Sequence, residues 1–125
     1  LVYGVECSYT PYRDSGIMAI SFGCDRENLD RCLKLIDREI ARIQEKALSE
    51  AALRAARKQL LGQLAISGDN GETQCLSMGK SLLAFGRVTA DEETRELLYS
   101  VTAEDIMNTA RSIFAPGCIS RLVYL

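Results

Sequence analysis

Apolar and polar residues alternate through LVYGVECSY at residues 1–9. Leu1, Tyr3, Val5 and Cys7 take one face, and Gly4, Glu6 and Ser8 take the other, the period-two signature of a half-buried strand. TPYRDS at 10–15 reads as a turn, because Pro11 fixes its own φ and the Asp14 side chain bonds nearby backbone. Alternation resumes in GIMAISFGC at 16–24, with Met18, Ile20, Phe22 and Cys24 on one face. The two runs predict an antiparallel hairpin with a six-residue connection. Counted back from that turn, Cys7 should lie opposite about Met18, so a Cys7–Cys24 disulfide would miss the required Cα spacing.

The period then changes to 3.6. Asp25 is placed to cap a helix of about 25–46, whose apolar stripe is Leu29, Cys32, Leu33, Ile36, Ile40 and Ile43. Ser49 caps a second helix with the stripe Leu53, Ala56, Leu60, Leu61 and Leu64, and Gly68 stops it. A third helix is expected from about Glu72 to Phe85, ended by Gly86. Thr89 with Glu92 reads as a capping box for a short fourth helix. Thr102 with Asp105 is a weaker form of that signal, for a fifth helix at about 103–114. Ala115, Pro116 and Gly117 terminate it, and CISRLVYL at 118–125 reads as a closing strand.

The predicted order is β-β-α-α-α-α-α-β. Strands segregated from helices indicate an α+β class, an antiparallel sheet with helices packed on one face. The 125 residues fit one domain. Three strands are few for five helices, and the elements at both termini end abruptly, so residues 1–125 read as a single, partial domain.

Composition narrows the function. With 47% hydrophobic residues the chain should build an ordinary core. A net charge of -2 and a sequence pI near 5.2 argue against a nucleic-acid partner, which calls for a basic patch. No apolar run of ~18 residues is present to span a membrane. The five cysteines, Cys7, Cys24, Cys32, Cys75 and Cys118, are odd in number and contain no CxxC pair. They read as small buried hydrophobes suited to a reducing compartment, though nothing fixes the location.

Candidate chemistry is sparse. The chain has no histidine, so neither a hydrolytic triad nor a histidine-based zinc site can be assembled from it. Gly79, Lys80 and Ser81 form a GKS tripeptide, but a phosphate loop needs a glycine at position 74, which is Gln74, and the segment reads as mid-helix. The acidic run Asp91, Glu92 and Glu93 suits the first turn of a helix without any catalytic role. Arg54, Arg57 and Lys58 read as a solvated helix face.

Four stretches, in order, resemble one family. They are LVYGVECSYTPYRDSGIMAISFGCD at 1–25, LSEAALRAARKQLLGQL at 48–64, SMGKSLLAFGR at 77–87 and SVTAEDIMNTARSIFAP at 100–116. Together they resemble the second, non-zinc-binding domain of the inverzincin peptidases, the group of pitrilysin, insulinase and the mitochondrial processing peptidase. In that family two homologous halves face each other across a cleft, and the first carries an HxxEH helix that binds zinc. The resemblance implies that this chain is about the C-terminal two thirds of the second half. It would bind no cofactor itself, zinc being held by a zinc-binding N-terminal half-domain or subunit.

The resemblance also implies one site residue, Tyr3. Active members use an arginine and a tyrosine seven positions later to hold substrate backbone near the zinc. Tyr3 matches the tyrosine, and the arginine would precede Leu1. The implied function is a substrate-binding wall of a zinc-dependent metalloendopeptidase acting on peptides, with this chain alone inactive. Two other readings stand beside it: a structural, non-catalytic member of the same family, and a small α+β binding module. If strands are missing, an open sheet edge should let the isolated chain pair into a homodimer.

Overall fold

The computed structural model describes residues 1–124. Its elements are β1 (Gly4–Pro11), β2 (Gly16–Gly23), a 3₁₀ turn at Arg26–Asn28, α1 (Leu29–Glu45), α2 (Glu50–Gly68), α3 (Gly71–Phe85), α4 (Asp91–Ser100) and α5 (Ala103–Ile113). The class is α+β, as the segregated periodicities predict. The chain divides into two compact units, one of Leu1–Glu45 with the chain from Ala110 onward, the other of Lys46–Thr109.

The first unit opens with the hairpin. β1 and β2 pair antiparallel, with Gly4 opposite Gly23, Cys7 opposite Ile20 and Pro11 opposite Gly16. The register differs by two residues from the predicted Cys7–Met18 pairing, because the ladder runs further into the connection than the turn residues suggest. Only Tyr12–Ser15 remain outside it, closed by a Tyr12 N–H bond of 2.8 Å to the Ser15 carbonyl. Every residue of β1 is exposed, whereas Ile20 and Phe22 on one face of β2 are half-buried. The half-buried first strand is therefore corrected: no second layer covers β1, and Val5 remains 65% exposed.

The predicted stripe of α1 points inward. Cys32 is buried, and Leu29, Leu33, Ile36, Ile40 and Ile43 are half-buried. Asp25 precedes the helix as expected, but its side chain caps nothing. Its carboxylate is engaged elsewhere, as described below. The far end of α1 is tied to the end of α5. The Gln44 side-chain amide donates to the carbonyls of Ala110 (3.3 Å) and Phe114 (3.1 Å), and Arg111 Nε donates to the Gln44 carbonyl at 2.7 Å.

The predicted closing strand at 118–125 is not formed across 118–124, and Leu125 lies outside the described residues. A strand requires a sheet edge to bond to. Here Gly117, with φ +86°, turns the chain, and the Cys118 N–H closes that turn on the Ala115 carbonyl at 3.0 Å. Arg121 then pairs with Asp37 of α1 at 2.5 Å, so the segment is fixed to a helix rather than to a strand.

The second unit is helical, and its boundaries follow local chemistry. Ser49 Oγ accepts the Ala52 N–H at 3.2 Å at the start of α2. Asn70 does the same for Thr73 at 3.1 Å in α3, which starts at Gly71, one residue before the expected Glu72. Gly86 ends α3 at φ +71°, a left-handed conformation that a side chain would oppose. The Thr89–Glu92 capping box is not formed. Ser81 Oγ accepts the Thr89 N–H at 3.1 Å and lies 3.1 Å from its hydroxyl, which turns Thr89 toward α3 and leaves Ala90 at the cap position. The Thr102–Asp105 box, the weaker signal, is complete. Asp105 accepts the Thr102 N–H (2.8 Å) and hydroxyl (2.6 Å), and Thr102 Oγ1 accepts the Asp105 N–H at 3.1 Å.

The core is smaller than the composition implies. Among the described residues only Cys32, Leu53 and Ala110 are buried hydrophobics. Amphipathic stripes without an opposing layer remain open to solvent, and on α3 Leu76, Leu82, Leu83 and Phe85 are all exposed. The cysteines are corrected for the same reason. Cys32 is buried and Cys24 half-buried, but Cys7, Cys75 and Cys118 are exposed, and all five are free thiols.

Candidate functional site

Tyr3 stands one residue before β1, at the open end of the hairpin. Its N–H donates to the Gly23 carbonyl at 2.8 Å, which extends the ladder by one bond. Its side chain does not face a core: the residue is 81% exposed. The ring lies over Gly23, where a Cβ would come within 3.7 Å of Tyr3 Cδ2. A Cβ at Gly4 would meet nothing within 4 Å, so a second backbone has room to approach beside the tyrosine.

The Tyr3 hydroxyl donates to Asp25 Oδ1 at 2.5 Å. This is the short end of the range for a hydroxyl bonded to a carboxylate. The bond, then the charge of Asp25, holds the Tyr3 phenol above its ordinary pKa, because ionisation would place two anions together. Cys24 lies in the same corner. Its thiol is also held above its ordinary value, first by desolvation and then by a hydrogen bond with the Cys32 thiol. Cys32 Sγ itself lies 3.8 Å from the Leu1 carbonyl. The structure thus gathers Tyr3, Cys24, Asp25 and Cys32 in one corner of the first unit. From the sequence Tyr3 stands out alone, and the observed register, with Gly4 opposite Gly23, is what brings Asp25 beside it.

The other marked groups have structural roles. Gly79, Lys80 and Ser81 lie within α3, so no phosphate loop is present there. Glu93 forms a two-point ion pair with Arg87, at 2.7 and 2.5 Å, and the guanidinium holds its carboxyl below the usual range. Asp91 and Glu92 occupy the first turn of α4. Arg57 is half-buried and closes the end of α4, donating to the carbonyls of Tyr99 (3.0 Å) and Val101 (2.5 Å). Its guanidinium also lies 5.8 Å from the Tyr99 ring centroid. With Arg54, Lys58, Leu61 and Tyr99 it lines a shallow surface groove. No helix of the described residues is long and apolar enough to cross a membrane.

Comparison with known proteins shows what the chain is similar to. A profile described as the Peptidase M16 inactive domain matches residues 1–60, the hairpin, α1 and the first half of α2. The profile covers just under half of the chain, and with the relatives that follow it supports a C-terminal fragment of an M16-family peptidase. An uncharacterised zinc protease of Rickettsia felis is 30% identical over 123 residues, which is 98% of this chain and 30% of that protein. The beta subunit of the mitochondrial-processing peptidase of Caenorhabditis elegans is 24% identical over 91% of this chain and 25% of its own length. The periplasmic protease PqqL of Escherichia coli has the same fold, with a TM-score of 0.62 at 20% identity over 88% of this chain and 12% of its own. The chain therefore spans less than a third of the curated relatives it matches.

An M16 peptidase implies zinc, and this chain's donors do not fit it. Histidine is absent from the sequence, and no three His, Cys, Asp or Glu side chains, the Cys24, Asp25 and Cys32 corner included, are placed to hold a metal ion among the described residues.

Proposed function

We propose that this M16 inactive-domain chain is a substrate-binding wall of a zinc-dependent endopeptidase acting on peptides, and that Tyr3 is its contact with the reacting substrate. On this reading the chain is about the C-terminal two thirds of the second half-domain. Zinc is held by a zinc-binding N-terminal half, fused or separate. The reading is carried by the exposure of Tyr3, a large aromatic residue kept out of any core and held by a backbone bond to Gly23 beside the open approach at Gly4. A phenolic hydroxyl in such a place can donate to a scissile carbonyl as it becomes an oxyanion. Loss of one such donor costs on the order of 10²-fold in kcat.

The test is Tyr3→Phe in the complete enzyme. The expected result is a large fall in kcat with zinc content and thermal stability near wild type, because the ring is retained and only an exposed hydroxyl is lost. Unchanged turnover would refute the role. An HxxEH motif in the rest of the reading frame or in a neighbouring gene supports a catalytic parent, and its absence from both supports a scaffold subunit instead.

The isolated 125-residue chain should also form a homodimer. β1 is exposed along its whole length, and a two-stranded sheet leaves two unpaired edges. The leucines of α3 add open apolar surface. Sedimentation should show a concentration-dependent monomer–dimer equilibrium, and a monomer at high micromolar concentration would refute it.

A further inference from the structure

We propose that Asp25 is a positioning residue for Tyr3, which restrains the tyrosine as a hydrogen-bond donor until the carboxylate is drawn aside. The proposal rests on the reading of Tyr3 as the substrate contact. A phenol has one proton to donate and lone pairs to accept with. In this structure that proton is committed to Asp25 Oδ1 at 2.5 Å. A substrate carbonyl approaching Tyr3 meets lone pairs, and repulsion rather than a bond, unless Asp25 gives the proton up.

Three effects of Asp25 act in the same direction. The carboxylate competes directly for the hydroxyl, and a charged acceptor outcompetes a neutral carbonyl. Its charge raises the phenol above its ordinary pKa, and a weaker acid is a weaker donor. An oxyanion bonded to Tyr3 would also form next to the Asp25 charge, and like charges repel. Negative charge on Cys24 would act on Tyr3 in the same sense.

One effect opposes them. Asp25 immobilises an exposed side chain, and a group already in place loses less entropy when it binds. Other contacts supply part of this placement, however. The Tyr3 N–H is bonded to the Gly23 carbonyl, and the ring rests over Gly23. Three unfavourable effects against one partly redundant benefit decide the sign: Asp25 slows the reaction of the enzyme in this conformation. Asp25 is also free to move. Its side chain caps no helix, and its only side-chain hydrogen bond among the described residues is to Tyr3. Its release therefore costs α1 no capping bond.

The experiment uses the complete enzyme with a peptide substrate and compares wild type, Asp25→Ala, Asp25→Asn, Tyr3→Phe and the double variant Tyr3→Phe/Asp25→Ala. Asp25→Ala should raise kcat/KM about 3- to 10-fold. Asp25→Asn, which keeps an acceptor without the charge, should fall between it and wild type. In the Tyr3→Phe background Asp25→Ala should give a much smaller gain, since no proton is left to restrain and only the repulsion between the carboxylate and the oxyanion is relieved. Carbon-labelled tyrosine spectra, assigned with Tyr3→Phe, should show the Tyr3 phenol titrating at lower pH in Asp25→Ala, a change that an aspartate not bonded to Tyr3 would not produce. A fall in kcat/KM on removing Asp25, or an equal change in both backgrounds, overturns the proposal. Unchanged turnover in Tyr3→Phe alone overturns the substrate-contact reading and this proposal with it. A loss in Tyr3→Phe without any gain in Asp25→Ala overturns this proposal alone.

Discussion

Replacing Arg57 tests whether one side chain fastens α4 to α2. Arg57 makes two hydrogen bonds, to the carbonyls of Tyr99 and Val101, and faces the Tyr99 ring at 5.8 Å. These carbonyls belong to the last turn of α4 and to the residue that follows it, groups with no partner inside the helix. A hydrogen bond from a charged donor contributes about 1.5–3 kcal/mol when well buried. Arg57 is half-buried, so about 1 kcal/mol for each bond is the appropriate scale. A cation over an aromatic face at an exposed site adds about 0.5–1 kcal/mol. Arg57→Ala should therefore cost about 2–3 kcal/mol. For a chain of this size the fall in Tm is about 6–12 °C. Arg57→Lys should recover less than half, because one ammonium lacks the planar fork that spans two carbonyls. Urea unfolding followed by circular dichroism gives the total, and hydrogen exchange of the α4 amides gives the local share. Tyr99→Leu, which keeps the backbone carbonyl, should cost less than Arg57→Ala. An Arg57→Ala change within about 0.5 kcal/mol of wild type, the range of ordinary surface substitutions, would refute the reasoning.

Thr102→Ala should destabilise α5 by removing the hydroxyl that completes its capping box, and it should weaken the acid sensitivity of that helix. Asp105 is held below its ordinary pKa chiefly by the Thr102 hydroxyl. A lowered folded pKa means that the stabilisation is present above the unfolded value and is lost as pH falls through the folded one. Helix content followed from neutral pH to about pH 2 should thus fall less steeply in the variant, and parallel curves would count against the box. Glu93 titrates with the same sign, so Arg87→Ala should also flatten the acid limb of α4. Gly86→Ala should cost about 1–2 kcal/mol, because φ is +71° there while the surrounding space is open. An equal unfolding midpoint for Gly86→Ala would show that the end of α3 relaxes without strain.

Much of the local structure was legible in the sequence because it depends on neighbours a few residues apart. Alternation in 1–9 and 16–24 determined the hairpin, Ser49 and Gly86 determined two helix ends, and the spacing of Leu29, Cys32, Ile36, Ile40 and Ile43 determined the inward face of α1. The order of family-like stretches points to the same kind of domain that the M16 profile matches over residues 1–60. Tertiary structure decided what depends on distant partners. Whether 118–124 pairs as a strand depends on where the chain is led after α5, and the turn at Gly117 and the Asp37–Arg121 ion pair set it beside α1 rather than along an open sheet edge. Whether Thr89 caps a helix depends on Ser81, which holds it. Tyr3 was visible in the sequence as an inward strand residue or a family tyrosine, and nothing local separates the two. The fold decides between packing and exposure by leaving β1 uncovered. It also supplies the partner that sequence distance concealed, since a hairpin that returns to Gly23 sets the carboxylate of Asp25 against the hydroxyl of Tyr3.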